Sequence, residues 1–372
     1  MTKTYSVLLS ALFCLFLGGI CTASLLLPKR TFSPLENRYL AKPPALSGEA
    51  LTSGTFMQEA EDYISDHVAG RDFWVGLKAW SERLSGKREN NGVYFGARDT
   101  LLNRVEGPDR EKLARDVGYV NTLTENLAVP VYFGLIPTAA QVWADRLPAG
   151  APTADEAALI QEAYTACQAS VVDLAGALEA HREEDLFYRT DHHWTSLGAF
   201  YGGNALLTAM GLEPLRLEDF PKTTVSTEFY GTTFSASGVR WVPPDQIDTY
   251  VPADGVQVTS YFKGEPEPGS LYVDRFLQEK DKYGYFLGGN QPLCVLTNPT
   301  VQGPRLLAVR DSYTDSLAPF LTQRFSQIHL FDLRYNLNSV RDYVEEHDID
   351  AVAVLYSFSN FASDRNLFLL GR

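Results

Sequence analysis

Four consecutive residues of this chain, Asp191-His192-His193-Trp194, place an acid beside two of only six histidines. These side chains suit three roles: the base and orienting acid of a Ser-His-Asp triad, metal ligands, or a hydrogen-bonded structural cluster. The preceding "LFYRT" (residues 186–190) predicts a strand. On a strand Asp191 and His193 would share one face and His192 the other, which disfavours a shared metal. The residues alone leave all three interpretations open.

A serine lies at a second suggestive position, in "RLLAVRDSYTDSLAPFL" (305–321). The pattern predicts a buried strand ending at Arg310, a turn at Asp311 and Ser312, and a helix from Tyr313. Active sites of open parallel sheets form at the carboxyl ends of strands, and helix N-termini offer N–H donors for an oxyanion. The alternative is structural, because serine is a favoured N-cap and Ser312 with Asp315 resembles a capping box.

Composition limits the classes of function. The chain has 372 residues, is 45% hydrophobic and carries a formal net charge of -14. A core of that size excludes a disordered chain, and the acidity argues against a nucleic-acid binder. Only Cys167 and Cys294 lie outside the first 30 residues. Their separation predicts no metal motif and leaves either one long-range disulfide or two free thiols.

The first 30 residues predict a membrane segment. No charged residue occurs between Tyr5 and Leu27, which is long enough for a transmembrane helix. Lysine and arginine flank both ends, so the charges do not fix its orientation. Cleavage of a signal peptide after Ala23 is the alternative to an uncleaved anchor. We favour the anchor, with residues 31–372 outside the cell, 31–55 as a linker and 56–372 as one domain.

Apolar segments of strand and helix type alternate along that domain. Residues 56–87 predict a helix pair broken at Gly70, and residues 92–102 a hairpin. The alternation predicts an α/β fold with a parallel sheet covered by helices on both faces. Residues 215–285, rich in Thr, Tyr, Gly and Pro, predict a β-rich insertion. The main predicted strands are 129–137, 305–310, 327–333 and 351–357, and the main predicted helices 109–127, 155–170 and 196–211.

The DHHW stretch and Ser312 in "RDSY" resemble the bacterial DHHW protein family, a branch of the SGNH-hydrolase-like proteins that include the periplasmic alginate O-acetylation proteins. Further matching segments are "SPLENRYLAKPPALS" (33–47), "YISDHVAGRDFWVGLKAW" (63–80), "NGVYFGARDTLL" (91–102) and "LIPTAAQVWADRLP" (135–148). The resemblance implies an SGNH-like sheet, with Ser312 as nucleophile, His193 as general base and Asp191 as its orienting acid. Tyr313 would lie beside the site, and His192 takes a variable, non-catalytic position.

This sequence departs from the SGNH pattern at the oxyanion blocks. "RDS" replaces the usual GDS serine block, and no clear counterpart of the glycine and asparagine blocks is present. We assign Gly289 and Asn290 of "LGGNQP" as candidate oxyanion donors, and group Arg310 and Tyr313 with them as candidate substrate contacts.

The resemblance implies an extracytoplasmic serine-dependent O-acetyltransferase, or acetylesterase, acting on a cell-surface polysaccharide. It implies a membrane-bound O-acyltransferase as the partner that supplies acetyl groups, and no cofactor or metal. The alternative of another class is an inactive carbohydrate-binding or assembly module that keeps the triad residues as structure. A metal-dependent hydrolase is the third hypothesis.

Overall fold

The chain forms two compact units. One comprises Met1–Asn91 with Phe234–Trp241, and the other Gly92–Thr233 with Val242–Arg372. The computed structural model describes residues 3–372. The predicted division into an anchor, a linker and one domain from residue 56 stays a prediction.

The first unit is built from helices and short strands. Among residues 3–372, its first helix is the one that is long and apolar enough to cross a membrane, and none of its residues is buried. Gly70, with φ +70°, separates the third and fourth helices, so the predicted break is confirmed. The elements are α1 (Lys3–Leu26), β1 (Phe32–Ser33), β2 (Arg38–Tyr39), α2 (Gly48–Ser53), α3 (Thr55–His67), α4 (Arg71–Leu84) and β3 (Glu89–Asn90).

The segment predicted as a linker carries structure of its own. β1 and β2 pair antiparallel, Ser33 and Leu40 are buried, and Ser47 caps α2 through its side chain. Proline and serine here therefore mark turns and caps between short elements.

The second unit is built around an eight-stranded mixed sheet. Its strand order is β11-β10-β12-β14-β13-β15-β6-β7. The strands of this unit are β4 (Val93–Phe95), β5 (Leu101–Asn103), β6 (Val131–Ile136), β7 (Ser170–Val171), β8 (Thr223–Phe229), β9 (Asp245–Thr249), β10 (Gln257–Ser260), β11 (Glu267–Pro268), β12 (Leu293–Thr297), β13 (Arg305–Arg310), β14 (Gln327–Phe331) and β15 (Ala351–Ser357).

The parallel part of this sheet was predicted and its antiparallel edge was not. β14, β13, β15, β6 and β7 run parallel. β12, β10 and β11 extend the sheet antiparallel beyond β14, which corrects the expectation of a purely parallel sheet. The fully buried β15 and nearly fully buried β13 form its centre, as expected for apolar strands of a parallel sheet.

Helices connect and accompany these strands. α5, α8, α9 and α13 contact β6, and α11 contacts β15. The distribution of helices over both faces stays a prediction. The remaining α-helices among residues 3–372 are α5 (Arg110–Asn126), α6 (Ala139–Val142), α7 (Glu156–Ala166), α8 (Leu174–Glu179), α9 (Ser196–Ala209), α10 (Thr232–Ser237), α11 (Tyr313–Leu321), α12 (Val340–Glu346) and α13 (Phe358–Ser363).

Three local predictions have clear outcomes. The hairpin over 92–102 is confirmed by the antiparallel pairing of β4 with β5. The strand over 186–190 is wrong, because this segment forms a loop in which Asp245 binds the backbone N–H groups of Arg189 and Thr190. Cys167 and Cys294 are free thiols.

The strands of the β-rich segment 215–285 belong to two different sheets. β8 and β9 form a separate antiparallel pair, while β10 and β11 join the edge of the main sheet. Its description as an insertion therefore stays a prediction.

A buried ion pair fixes the end of β13 against the start of α11. Arg310 and Asp315 are almost fully inaccessible, and Arg310 Nη1 lies 2.9 Å from Asp315 Oδ1. Burial raises the pKa of Asp315 to about 7, against the opposing effect of the Arg310 charge. Arg310 Nε and Nη2 have no partner within residues 3–372, so the guanidinium depends on this carboxylate.

We expect Asp315→Ala to lower the free energy of unfolding by about 3–5 kcal/mol, because it leaves a buried guanidinium uncompensated. Urea unfolding at pH 8, where the carboxyl group is ionised, measures the change. The double variant Arg310→Met/Asp315→Leu removes both charges and should recover most of the loss. A single variant as stable as the wild type would contradict this account.

Candidate active site

Ser312 lies at the turn between β13 and α11 but does not cap the helix. Its backbone is right-handed helical (φ -64°, ψ -16°), and its side chain makes no capping hydrogen bond. Its Oγ instead lies 2.8 Å from His193 Nε2. Ser312 is also partly exposed, whereas residues 313–322 are all buried. The turn therefore presents one accessible hydroxyl in hydrogen-bond contact with an imidazole.

An Asx-type turn brings Asp191 and His193 together. Asp191 Oδ1 accepts the backbone N–H of His193 at 3.0 Å, and the same oxygen lies 2.6 Å from His193 Nδ1. Aspartate favours such turns because its carboxylate binds the backbone two residues on. The two side chains meet through this turn, and the strand periodicity expected from the sequence does not apply.

The second oxygen of Asp191 is held by the first residue of α10. Asp191 Oδ2 accepts the Thr232 backbone N–H at 2.7 Å and the Thr232 hydroxyl at 2.9 Å. A Cβ atom on Gly231 would lie 2.2 Å from this oxygen, so glycine leaves the room that the carboxylate occupies. Neither Gly231 nor Thr232 was singled out from the sequence.

Asp191 is ionised in the folded protein. Burial alone would raise the pKa of a carboxyl group, but the adjacent His192 and His193 rings and the hydrogen bonds hold the pKa of Asp191 well below its ordinary value. A carboxylate on Nδ1 fixes the His193 tautomer with its proton there. Nε2 is then free to accept the Ser312 proton.

Two aromatic rings enclose the His193 ring. Tyr283 stacks on one side, with ring centroids 3.7 Å apart and planes 9° apart, and His192 packs against it at 3.9 Å. The Tyr283 hydroxyl also donates to the Ser312 carbonyl at 3.1 Å. Tyr283 therefore positions both residues. No local signal marks it, since it lies 90 positions from His193.

His192 is held apart from the hydrogen-bonded chain of Asp191, His193 and Ser312. Its Nδ1 lies 2.6 Å from the Thr232 hydroxyl, which donates to Asp191, so Nδ1 carries a proton and donates to Thr232. A third of its side chain is exposed, yet the surrounding residues bury most of the ring. This burial and the charge of His193 lower the pKa of His192 to about 4. His192 is therefore neutral near pH 7.

Trp194 and Tyr313 anchor the motif to α11. Trp194 Nε1 donates to the Tyr313 carbonyl at 2.9 Å and to Ser316 Oγ at 3.0 Å. The Tyr313 hydroxyl donates to the His192 carbonyl. Tyr313 thus lies beside the site, where the sequence placed it, and its hydroxyl is engaged by backbone.

Asp311 binds the serine turn to the end of β15. Its Oδ1 accepts the Tyr313 N–H at 3.1 Å, and its Oδ2 accepts the N–H and hydroxyl of Ser357 at 2.8 and 2.7 Å and the Asn360 amide at 2.7 Å. The Tyr313 N–H is consequently not free for an oxyanion. Within residues 3–372 the Ser312 N–H has no hydrogen-bond partner.

The other predicted contacts are not part of this cluster. Arg310 is fully buried and pairs with Asp315, so its assignment as a substrate contact does not fit the structure. Asn290 is exposed and its side chain accepts from Arg334 at 3.4 Å, while the Gly289 N–H donates to Phe286. No hydrogen bond within residues 3–372 joins Gly289 or Asn290 to Ser312, His193 or Asp191.

A metal would compete with this network. The possible ligand atoms of Asp191, His192 and His193 lie within 4.8 Å of one another. Both ring nitrogens of His193 and Nδ1 of His192 already have hydrogen-bond partners. Binding a metal through His193 would break its contact with Asp191 or Ser312.

The fold and site define an α/β protein with an Asp-His-Ser hydrogen-bonded chain at the end of a central strand. The family model of the DHHW protein family matches residues 114–331, more than half the sequence. The chain therefore belongs to the DHHW family. No curated protein matches it at a significant level.

Solved structures share the fold. A DHHW family protein from Eubacterium siraeum is 23% identical, with a TM-score of 0.66 over 76% of this chain and 95% of that one. Bacillus cereus PatB1 with a sulfonyl adduct is 22% identical, with a TM-score of 0.63 over 74% and 97%. The O-acetyltransferase domain of Pseudomonas putida AlgJ aligns at 16% identity over 73% and 93%, but its TM-score of 0.45 supports no inference.

The low pKa of His192 predicts how the stability of the protein depends on pH. The ordinary pKa of histidine is about 6.5. A folded-state pKa of about 4 means that the unfolded chain binds more protons between these pH values. The contribution of His192 to the free energy of unfolding is therefore complete above pH 6.5 and is lost as the pH falls toward 4. We expect His192→Gln to flatten this part of the stability profile.

Urea midpoints measured at half-unit steps from pH 4 to 7 test the effect. Ser363→Ala, at an exposed position that does not titrate, is the control and should leave the slope unchanged. Parallel profiles for the wild type and His192→Gln would contradict the assignment of His192 as a neutral imidazole.

Proposed function

We propose that this protein is an extracytoplasmic serine-dependent O-acetyltransferase that modifies a cell-surface or exported polysaccharide. In this proposal Ser312 is the nucleophile, His193 is the general base and Asp191 orients it. α1 anchors the chain in the membrane. The distances of 2.6 Å from Asp191 to His193 and 2.8 Å from His193 to Ser312 carry the proposal.

The reaction has two half-steps. Ser312 Oγ attacks the acetyl carbonyl carbon while His193 Nε2 takes the hydroxyl proton, and the leaving group departs with that proton. A sugar hydroxyl then attacks acetyl-Ser312, passing its own proton to His193 and from there to Ser312 Oγ. With water in place of the sugar, the same steps make an acetylesterase. The unpartnered Ser312 N–H is the candidate oxyanion donor.

The choice of substrate rests on the family resemblance and on the fold. Bacillus cereus PatB1 was solved with a sulfonyl adduct, the product expected when a sulfonyl reagent meets a nucleophilic side chain. Because PatB1 shares the fold of this chain, its adduct supports testing Ser312 as a nucleophile. An acetyl donor reaching the outside of the cell requires export, so a membrane-bound O-acyltransferase is the proposed partner.

One observation favours a second function, an inactive carbohydrate-binding or assembly module. The Tyr313, Thr314 and Asp315 N–H groups, which begin α11, are engaged by Asp311 and Ser312. Neither Gly289 nor Asn290 replaces them as oxyanion donors. A site with one donor would stabilise a tetrahedral intermediate less than a site with two.

Turnover of 4-nitrophenyl acetate by the full chain in detergent separates these functions. We expect Ser312→Ala and Asp191→Asn each to lower kcat by about 10³–10⁴, because the first removes the nucleophile and the second fixes the wrong tautomer. Exposed Ser363→Ala is the matched control and should not change kcat. A transferase should also acetylate added oligosaccharides.

Equal, background turnover by folded wild type and both variants would contradict the enzyme proposal. Binding of oligosaccharides by that inert protein would instead support the module.

A further inference from the structure

The exposed face of α4 is strongly apolar. Phe73, Leu77, Trp80 and Leu84 are 64, 47, 49 and 77% exposed. Their spacings of four, three and four residues place them in one stripe along the helix. Ala79 faces the interior of the same unit and is fully buried. Contiguous exposed apolar surface of this kind marks an interaction site in most proteins.

Contacts with α1 place this stripe beside the proposed membrane anchor. The Phe16 ring lies 6.0 Å from the Trp74 ring, and Ser24 Oγ accepts the Ala69 N–H at 2.8 Å. At 1.5 Å per residue, Phe16 is about 15 Å from the end of α1 at Leu26. The first turn of α4 therefore lies alongside the C-terminal half of α1, next to the bilayer that α1 would span.

The charge of this segment fits an anionic lipid surface. Residues 71–88 contain five Lys or Arg and two Asp or Glu, although the whole chain has a net charge of -14. Arg83 and Lys87 are exposed near the stripe. Basic residues beside an apolar stripe that contains tryptophan are typical of helices lying in the membrane interface.

We propose that the Phe73/Leu77/Trp80/Leu84 stripe of α4 lies in the headgroup interface of the bilayer that α1 spans, which gives the chain a second membrane contact. The inference rests on the anchor part of the proposed function and is independent of Ser312 chemistry. In this position lipid covers the apolar side chains of the stripe, and the contact limits rotation of the first unit about α1.

Site-specific fluorescence in vesicles tests this contact. The full chain, with Cys14, Cys21, Cys167 and Cys294 replaced by alanine, carries a single cysteine labelled with an environment-sensitive dye. Labels at Leu77→Cys and Leu84→Cys report the stripe. A label at Lys78→Cys, exposed on the same helix but off the stripe, is the matched control. Leu15→Cys in α1 reports insertion of the anchor. The vesicles contain zwitterionic and anionic phospholipid, with or without brominated acyl chains.

We expect the labels at 77 and 84 to be quenched by brominated lipid at least about twofold more than the label at 78, together with a blue shift. Quenching at 15 with none at 77 and 84 would overturn the proposal while preserving the anchor. No quenching at any position would overturn both. If the labels at 77 and 84 are shielded in detergent and become exposed when the protein is diluted, the stripe contacts a second copy of the chain. That result would also overturn the proposal.

Discussion

The ionised carboxylate of Asp191 is buried, and a buried charge is tolerated only where hydrogen-bond donors surround it. Four donors do so: the backbone and ring of His193 on one oxygen, and the backbone and hydroxyl of Thr232 on the other. Satisfying this carboxylate fixes the His193 ring, and the ring then points Nε2 at Ser312. Two other buried aspartates also accept several hydrogen bonds. Asp245 binds the loop before the motif, and Asp311 ties the serine turn to the end of β15.

This arrangement orders the hydrogen-bonded chain of Asp191, His193 and Ser312, which is the proton path in the proposed reaction. Tyr283 and His192 close the two faces of the His193 ring, so the ring has little freedom to rotate away from Ser312. Both neighbours are neutral near pH 7, since burial raises the pKa of Tyr283 and crowding lowers that of His192. A proton arriving on His193 would therefore lie between two uncharged rings and opposite one carboxylate. Such preorganisation is what acyl-transfer catalysis requires.

Several features were predictable because their signals are local. Continuous apolar runs marked β13, β14 and β15, and Gly70 was expected to separate two helices. The pairing of Asp191 with His193 was anticipated from their spacing, although the turn that produces it was not. The strand-turn-helix pattern singled out Ser312, and the family resemblance then implied its role as nucleophile.

The features that were missed depend on contacts between distant segments. Nothing near Tyr283 or Thr232 in the sequence indicates that Tyr283 stacks on His193 or that Thr232 binds Asp191. β12 is a short apolar run like any other, and only its neighbours decide that it pairs antiparallel with β14. The segment 186–190 has a strand-like composition, but the Asp245 carboxylate occupies its N–H groups. Gly289 and Asn290 were chosen by residue type, which carries no information about distance from Ser312.

Covalent labelling tests directly whether Ser312 is an activated nucleophile. The full chain is incubated with a sulfonyl fluoride near pH 7, and the modified residue is located by intact mass and peptide mapping. We expect one sulfonyl group, on Ser312, and much slower labelling of Asp191→Asn because its His193 tautomer is no longer fixed. A folded wild-type protein that stays unmodified, or is modified at another residue at the same rate in both proteins, would contradict this expectation.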